Sequence, residues 1–324
     1  MSRTGVLLLG FGGPETIEAV RPFMCNLMDR EPSDQLVDTV CQRYLAIGGG
    51  SPLPNIAASI AEGLEERLSQ AGSPAPVRVG MRYWHPFIAD AVEDLMALGC
   101  DRIVTFSLSP FESKAASGAY REAIEAVVAI HGHLEIVEAP LLSKSTEFVD
   151  YFAASAVDAL EDLNPNESAV LAFTAHSLPL ADLVDNDPYA VGLEEVAQAV
   201  AEKLGLGVGR SGAGAQTLGG FSAFGSSEQP RSWFLVYQSK GARPGEWLGP
   251  QLDDLVTAVA ASEHTALAVV PIGFATDHME TLYDIDIVAA GDALDSGIEF
   301  TRAKVPNDDP RILDAITEMV APLI

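Results

Sequence analysis

The sequence predicts an α/β fold made of two similar, doubly wound parallel-sheet domains. Short apolar runs that end in turn residues alternate with stretches of helical periodicity, which is the pattern of parallel strands joined by crossover helices. Three of these runs recur in the same order in the second half of the chain. At 324 residues, of which 48% are hydrophobic, the chain can bury two such cores.

The repeat starts with the first strand of each half. Residues 5–14, GVLLLGFGGP, resemble residues 169–179, AVLAFTAHSLP, with Val6 matched to Val170 at an offset of 164. Farther along, RIVTFSLSP resembles ALAVVPIGF at an offset of 165, and LEIVEAP resembles FTRAKVP at an offset of 166. Continuous apolar runs of this length indicate strands that are buried on both faces.

Helical stretches separate the strands, for example PFIADAVEDLMALG at 86–99, and they provide the crossovers that a parallel sheet requires. Ligands bind beyond the carboxyl ends of the strands in such sheets, so the expected site is a cleft between the two domains. The predicted divisions are a first domain at 1–145, a second domain at 146–307 and a C-terminal amphipathic helix at 308–324.

The charge of the chain argues against a nucleic-acid partner. Nineteen Lys and Arg against 46 Asp and Glu leave a net charge of −27, which would repel a phosphate backbone. The ordinary explanation of this charge is a well-solvated or salt-adapted acidic surface. We therefore expect no nucleic acid among the partners of this protein.

The apolar runs and the cysteines limit location and cofactors. No apolar run reaches the roughly 18 to 20 residues that span a bilayer, and the N-terminus has no signal-peptide cleavage pattern. We expect a cytoplasmic monomer without an integral membrane segment. Cys25, Cys41 and Cys100 are too few for a four-cysteine iron-sulfur cluster, and none is expected.

One segment lacks periodicity. Residues 205–231 are rich in Gly and Ser and predict a long loop. Such a loop serves either as a lid over the cleft or as surface chain without a role, and the sequence leaves both interpretations open.

Two motifs resemble known signatures but depart from them. In GFGGPE, Glu15 stands where a dinucleotide-binding G-x-G-x-x-G turn has glycine, and Pro14 constrains the turn. Ser177, in AHSLP, lacks the flanking glycines of a hydrolase nucleophile elbow. The motifs therefore favour neither a nucleotide-binding protein nor a serine hydrolase.

Polar residues follow two strands of the second half. His176 ends one strand, and PIGFATDHMETLYDIDIV leads from another strand into Glu280, so both should face one cleft. On a helix, Asp284 shares a face with Glu280, and Asp286 is rotated away. The structural alternatives are a hydrogen-bonded histidine at a strand end and a capping box formed by Asp277 and Glu280.

At these residues the chain resembles the ferrochelatases, which insert ferrous iron into a porphyrin at the end of haem synthesis. The resemblance lies in TAHSLPL, NDPY, VYQSKGARPGEWLGP and PIGFATDHMETLYDID in the second half, and in LLGFGGPET, YLAIGGGSPLP and MRYWHPFIADAVE in the first. These motifs cover nearly the whole chain. They imply the chelatase fold of two Rossmann-like halves, porphyrin and ferrous iron as substrates, and no required cofactor.

The resemblance also implies catalytic residues. His176 would accept the pyrrole protons that must leave the free porphyrin, with Glu280 as its catalytic partner. His176, Glu280 and Asp284 would supply the nitrogen and oxygen ligands that replace water on the incoming metal. The passing cation would relieve the repulsion between the two carboxylates.

A second group of residues would line a pocket for the large apolar ring. By the same resemblance, these substrate-binding residues are Phe11, Gly12, Gly13, Pro14, Tyr83, Ser107, Ser109, Ser113, Tyr120 and Trp247. Packing in the core is the alternative for Trp247, and also for Tyr83 and His85 on either side of Trp84.

The chain departs from the family at three places. Val288 stands where many members have a further carboxylate, and Phe11 stands where some bacterial relatives have a tyrosine that binds the product's iron. The segment at 205–231 is longer than the usual linker. The alternatives are therefore a cobalt or nickel chelatase and a binding-only haem or porphyrin carrier, and coproporphyrin III and protoporphyrin IX are both candidate substrates.

Overall fold

The computed structural model describes residues 3–164, 168–206, 233–241 and 243–324. Residues 207–231 of the predicted loop lie outside these ranges, so neither interpretation of that loop is tested. In the described ranges, no helix is both long enough and apolar enough to cross a membrane.

The described residues form two parallel sheets flanked by helices. The strands are β1 (Thr4–Gly10), β2 (Val77–Met81), β3 (Arg102–Ser107), β4 (Glu135–Glu138), β5 (Ala169–His176), β6 (Trp233–Gln238), β7 (Ala266–Val270) and β8 (Glu299–Arg302). The α-helices are α1 (Ile17–Met28), α2 (Asp34–Ala46), α3 (Leu53–Gln70), α4 (Ile88–Ala97), α5 (Ala119–His131), α6 (Thr146–Glu161), α7 (Pro188–Lys203), α8 (Leu252–Ala260), α9 (Ala290–Asp295) and α10 (Pro310–Val320).

The two sheets share one topology. Neighbouring strands run β2-β1-β3-β4 in the first sheet and β6-β5-β7-β8 in the second, and all pairs are parallel. Every residue of β1 and of β7 is buried, because helices cover both faces of such sheets. The predicted α/β fold with an internal repeat is confirmed.

The chain divides into two compact units, each containing one sheet. The first unit comprises Met1–Phe148, Ala275–Met279 and Pro306–Ile324, and the second comprises Val149–Phe274 and Glu280–Val305. The last helix, α10, belongs to the first unit, where Leu313 lies against Gly63 of α3 and Arg67 pairs with Asp314 at 2.7 Å.

The chain end of the first unit is also held by its sheet. The Thr4 hydroxyl donates to the carbonyl of Ile324, and the Arg102 guanidinium donates to the carbonyl of Leu323. These two side chains come from β1 and β3. The final residues of the chain are thus part of the folded first unit.

One segment after the third strand of each sheet adopts a π-helix, Lys114–Gly118 in the first unit and Glu280–Ala289 in the second. A π-helix bonds i→i+5 and has more residues per turn than an α-helix, so residues four apart come closer to a single line. We call Glu280–Ala289 the wide helix. It packs through Ile285 on a core that also contains Leu255 and Val269.

Candidate active site

His176 is the last residue of β5, the central strand of the second sheet. The strand before it is almost wholly buried, whereas the His176 side chain is 33% exposed. The buried Tyr189 hydroxyl donates to the backbone carbonyl of His176 at 2.9 Å. This hydrogen bond from α7 fixes the backbone at His176, and the imidazole lies at the end of the strand.

The imidazole contacts Glu280, the first residue of the wide helix. Nδ1 of His176 lies 2.9 Å from Oε2 of Glu280. An ionised carboxylate can only accept hydrogen bonds, so Nδ1 carries the proton and Nε2 of the neutral ring keeps its lone pair. The contact therefore fixes the tautomer in which Nε2 is the basic atom.

A glycine brings Glu280 to this strand end. The amide of Gly273, just after β7, donates to the carbonyl of Thr174 at 3.0 Å. A Cβ at Gly273 would lie 2.6 Å from the Cβ of Ala175, so only glycine permits this approach. The chain then enters the wide helix, where the Gln238 Nε2 donates to the Glu280 carbonyl at 2.9 Å.

Two opposing effects act on the pKa of His176. Burial disfavours the imidazolium and lowers the pKa, whereas the charge of Glu280, the hydrogen bond to it and the charge of Asp284 raise the pKa. The charges outweigh burial, so the pKa lies above its ordinary value. His176 is thus a stronger base than a free histidine.

The wide helix arranges its residues in rows of every fourth residue. Thr281, Ile285 and Ala289 are buried and form its core-facing row. The adjacent row, which we call the Glu280 row, consists of Glu280, Asp284 and Val288. Val288 is 43% exposed, so it lies at the solvent-facing end of the row.

The remaining carboxylates of the wide helix have distinct partners. The Ser239 hydroxyl donates to Asp284, and Ser239 holds a left-handed backbone conformation with φ of 60°. Asp286 pairs with Arg302 of β8 through two contacts, at 2.5 and 2.9 Å. As predicted from the helical spacing, Asp286 does not belong to the row of Glu280.

The wide helix and His176 do not form a closed metal site. Within the described part of the chain, no group of three or more His, Cys, Asp or Glu side chains is arranged to hold a metal ion. Glu280 contacts His176, and Asp284 contacts Ser239.

The glycine-rich turn after β1 presents an aromatic pair in the first unit. Phe11 is 38% exposed, and its ring centre lies 4.7 Å from that of Tyr83. Gly12 has a φ of 99°, and a Cβ there would lie 2.8 Å from Trp84. Gly13 and Pro14 are buried. Of the residues predicted in this turn, Phe11 is the one that exposes an apolar surface.

The predicted residues after β3 differ in accessibility. Ser107 and Ser109 are half-buried, and the Ser109 hydroxyl lies 3.1 Å from that of Tyr120. Tyr120 is 1% exposed and belongs to the hydrophobic core, and Ser113 is buried as the cap of the short π-helix. Ser107 and Ser109 are therefore the accessible members of this set.

Trp247 lies in the second unit and is half-buried. Its indole Nε1 donates to the carbonyl of Arg243 at 3.1 Å, and its ring packs on Gly241. In the first unit, His85 packs edge-on against Trp84 and Phe87. Trp247 is thus partly covered by its own loop, whereas His85 stays exposed although its ring packs on its neighbours, and the roles of both residues stay predictions.

Sequence reasoning assigned no role to four side chains that hold the site. They are Tyr189, Gln238, Ser239 and Arg302. The motifs NDPY and VYQSKG contain three of them, and two polar residues, Gln238 and Ser239, at the end of an apolar strand were the available signal. Arg302 gave no local signal, because its partner Asp286 lies 16 residues earlier.

Comparisons with known proteins identify the family. The sequence model of the ferrochelatase family matches residues 3–323. A ferrochelatase of Herpetosiphon aurantiacus is 30% identical over 324 residues, covering 98% of this chain and 98% of that protein. A ferrochelatase of Deinococcus radiodurans is 29% identical over 320 residues, covering 98% of this chain and 94% of that protein.

A solved structure, SirB from Bacillus subtilis with Fe3+, matches the fold with a TM-score of 0.57 at 12% identity, and covers 98% of this chain and 94% of that one. At this identity the likeness shows the chelatase fold alone, which confirms the predicted fold class. The full-length match to the family model and the relatives at about 30% identity establish the rest: the chain belongs to the ferrochelatase family.

Proposed function

We propose that the protein inserts ferrous iron into a porphyrin, with His176 as the base and Glu280 as its partner. The observation that carries the proposal is the 2.9 Å contact between His176 Nδ1 and Glu280 Oε2. It leaves Nε2 as a proton acceptor at the carboxyl edge of the sheet, where ligands bind in parallel α/β folds. Iron and porphyrin are both substrates, so the reaction needs no resident cofactor.

The proton steps follow from this contact. A pyrrole N–H bond of the porphyrin breaks, its electron pair stays on the ring nitrogen, and Nε2 of His176 takes the proton. Glu280 stabilises the imidazolium that forms. The imidazolium then releases its proton to solvent, and the neutral imidazole so regenerated accepts the second pyrrole proton, so that two protons leave for each divalent metal bound. A positioned base of this kind contributes on the order of 10² to 10⁴ in rate.

The Glu280 row supplies the path of the metal. Carboxylate oxygens replace water on a hard divalent cation step by step, and Asp284 lies one step beyond Glu280 along the row. The charges of Glu280 and Asp284 also favour the cation near His176. Metal and base thus meet at the same end of the wide helix.

The pocket for the porphyrin is proposed to include the exposed ring of Phe11 together with Tyr83, which offer apolar surface to a flat macrocycle. Ser107 and Ser109 add accessible hydroxyls. Phe11 has no oxygen and cannot ligate iron, so the product's metal takes no ligand from this position.

A second metal is the alternative that one observation favours. The outer position of the Glu280 row is the apolar Val288, which removes one oxygen ligand from the row. A row with fewer oxygen ligands discriminates less strongly for hard cations, so cobalt is the rival metal.

An anaerobic insertion assay tests the proposal. Purified protein is mixed with ferrous iron, cobalt or nickel and with either coproporphyrin III or protoporphyrin IX, and the porphyrin absorption spectrum is followed. We expect catalysed iron insertion, and the two porphyrins are ranked by kcat/KM. Binding of porphyrin without catalysed insertion of any metal would identify a carrier, and faster insertion of cobalt than of iron would identify a cobalt chelatase.

A further inference from the structure

The acidic side chains of the wide helix are divided between two faces. Glu280 and Asp284 belong to the row beside His176, whereas Asp286 is paired with Arg302. The Arg302 Nε donates to Asp286 Oδ1 at 2.5 Å and its Nη2 donates to Oδ2 at 2.9 Å. This two-pronged geometry fixes direction as well as distance.

Arg302 is a rigid partner for the helix. It ends β8, and its backbone is in register with Val269 of β7, a fully buried strand. Its side chain is only 13% exposed, against 34% for Asp286. Loss of the carboxylate partner costs more free energy for a mostly buried arginine than for a surface arginine.

The position of Asp286 makes this pair sensitive to rotation of the helix. Asp286 directly follows Ile285, the central residue of the core-facing row, and lies two residues beyond Asp284. Rotation that moved Asp286 away from Arg302 would also move Asp284 and Glu280 relative to His176. The buried core-facing row also resists such rotation, but apolar packing is not directional, whereas the two-pronged ion pair is.

We propose that Arg302 is a positioning residue that, through Asp286, sets the rotation of the wide helix and so holds Glu280 and Asp284 in the path of the metal. This inference rests on the proposed function of that row. Arg302 also neutralises Asp286, so that a cation is attracted to the Glu280 row and not to the neighbouring face.

Three substitutions test this role. Arg302→Gln removes the charge, Arg302→Lys keeps the charge but loses the two-pronged contact, and Asp286→Asn keeps the shape but loses the carboxylate. We expect each to lower kcat for metal insertion by about tenfold or more, since small displacements of reacting groups have such effects. The KM for porphyrin should stay within twofold of the original value.

The double variant Asp286→Asn with Arg302→Gln separates positioning from simple charge. If the two residues act as one unit, its kcat is no lower than that of the single variants. A pure charge effect would instead change the metal KM in opposite directions in Arg302→Gln and Asp286→Asn and leave kcat unchanged, and that result would overturn the proposal.

Arg311→Gln is the matched control. Arg311 makes the same two-pronged contact with Asp309, at 3.0 and 2.9 Å, in the first unit and on the surface. We expect it to keep kcat and both KM values. If Arg302→Gln does not fold, Arg302→Lys and Asp286→Asn provide the test, and kcat within twofold of the original in both would overturn the inference.

The failures of the two proposals are distinguishable. If the original protein does not catalyse metal insertion, the proposed function fails. If it does, and His176→Ala abolishes the reaction while the Arg302 and Asp286 variants retain kcat, only the positioning role fails.

Discussion

The two sheets have one topology, yet they present different chemistry at equivalent places. The amide of Leu108 donates to the carbonyl of Leu9 as the amide of Gly273 donates to Thr174, which places Phe11 of the first unit where the second has His176. The offset of 165 for the third strands places Ala115 where the second unit has Glu280, and Ala119 where it has Asp284. The repeated fold therefore supplies equivalent positions, and the second unit fills them with a histidine and two carboxylates.

The approach of the chain after the third strand shows the same contrast. In the second unit, Gly273 lies against Ala175, which brings the wide helix beside His176. At the equivalent places the first unit has Leu108 and Gly10, so there the glycine lies on the central strand instead. One unit thus exposes an aromatic ring, Phe11, and the other holds a histidine in contact with a carboxylate, which is the division that the proposed function uses. The predictions below test that division, beginning with the largest expected effect.

Replacing His176 by alanine should remove the proposed proton acceptor from the second unit and lower turnover. Loss of a positioned base lowers turnover on the order of 10² to 10⁴, whereas porphyrin should still bind because the apolar surfaces remain. Turnover is measured by anaerobic insertion and binding by quenching of porphyrin fluorescence. A near-normal turnover rate of His176→Ala would contradict the assignment of His176 as the base.

His264→Ala provides a control for the loss of a histidine. His264 bonds Ser168 at 2.8 Å at the opposite, amino-terminal end of β5, so turnover should be unchanged.

Replacing Glu280 by glutamine keeps the shape of the side chain and removes its charge. We expect turnover to fall by about 10 to 100-fold. The pH profile should change as well. The imidazole accepts protons only when neutral, so turnover of the original protein rises with pH through a pKa above the ordinary value of about 6.5. Without the charge of Glu280, this pKa falls and the acid limb moves to lower pH.

The capping-box alternative makes a different prediction for Glu280→Gln. If Glu280 serves only the start of the helix, the substitution lowers the melting temperature and leaves the pH profile in place. Thermal unfolding and the pH profile of the same preparation therefore decide between the two roles.

Gly273→Ala tests the close approach of the chain to Ala175, beside His176. The added methyl group would overlap Ala175, and overpacking of this kind lowers the free energy of unfolding by about 1 to 3 kcal/mol. Gly291→Ala is the matched control, because its added Cβ meets nothing within 4 Å. We expect Gly291→Ala to be neutral or slightly stabilising in urea unfolding, and equal destabilisation by both would contradict the argument.

Val288→Glu should have the smallest effect. A carboxylate at the exposed end of the Glu280 row should lower the KM for ferrous iron by a few-fold at low ionic strength, an advantage that salt screens. The KM for porphyrin should not change. An equal change in both constants, or no change for the metal, would mean that iron does not travel along this row.

The strands, the internal repeat and the shared sheet edge of His176 and Glu280 could be predicted, because each follows from short patterns in the sequence. Buried strands are continuous apolar runs, and the matching of Val6 with Val170 followed from that pattern alone. The pairing of His176 with Glu280 followed from two strands sharing one sheet edge. The role of Arg302 depends on tertiary register, since β8 and the wide helix meet only after β7 and β8 pair. The sequence also could not predict that Glu280–Ala289 is a π-helix. Apolar residues spaced four apart over ten residues are compatible with an α-helix as well.

The packing of α10 on α3 has a consequence for how the protein is made. A ribosome releases the chain from its N-terminus, so β1 and α3 emerge long before the residues that complete their unit. Ile312, Leu313 and Ile316 of α10 are buried, and Thr4 and Arg102 donate to the carbonyls of Ile324 and Leu323 just after it. The first unit can therefore be completed only after α10 has been synthesised, although β1 and α3 are made long before that helix.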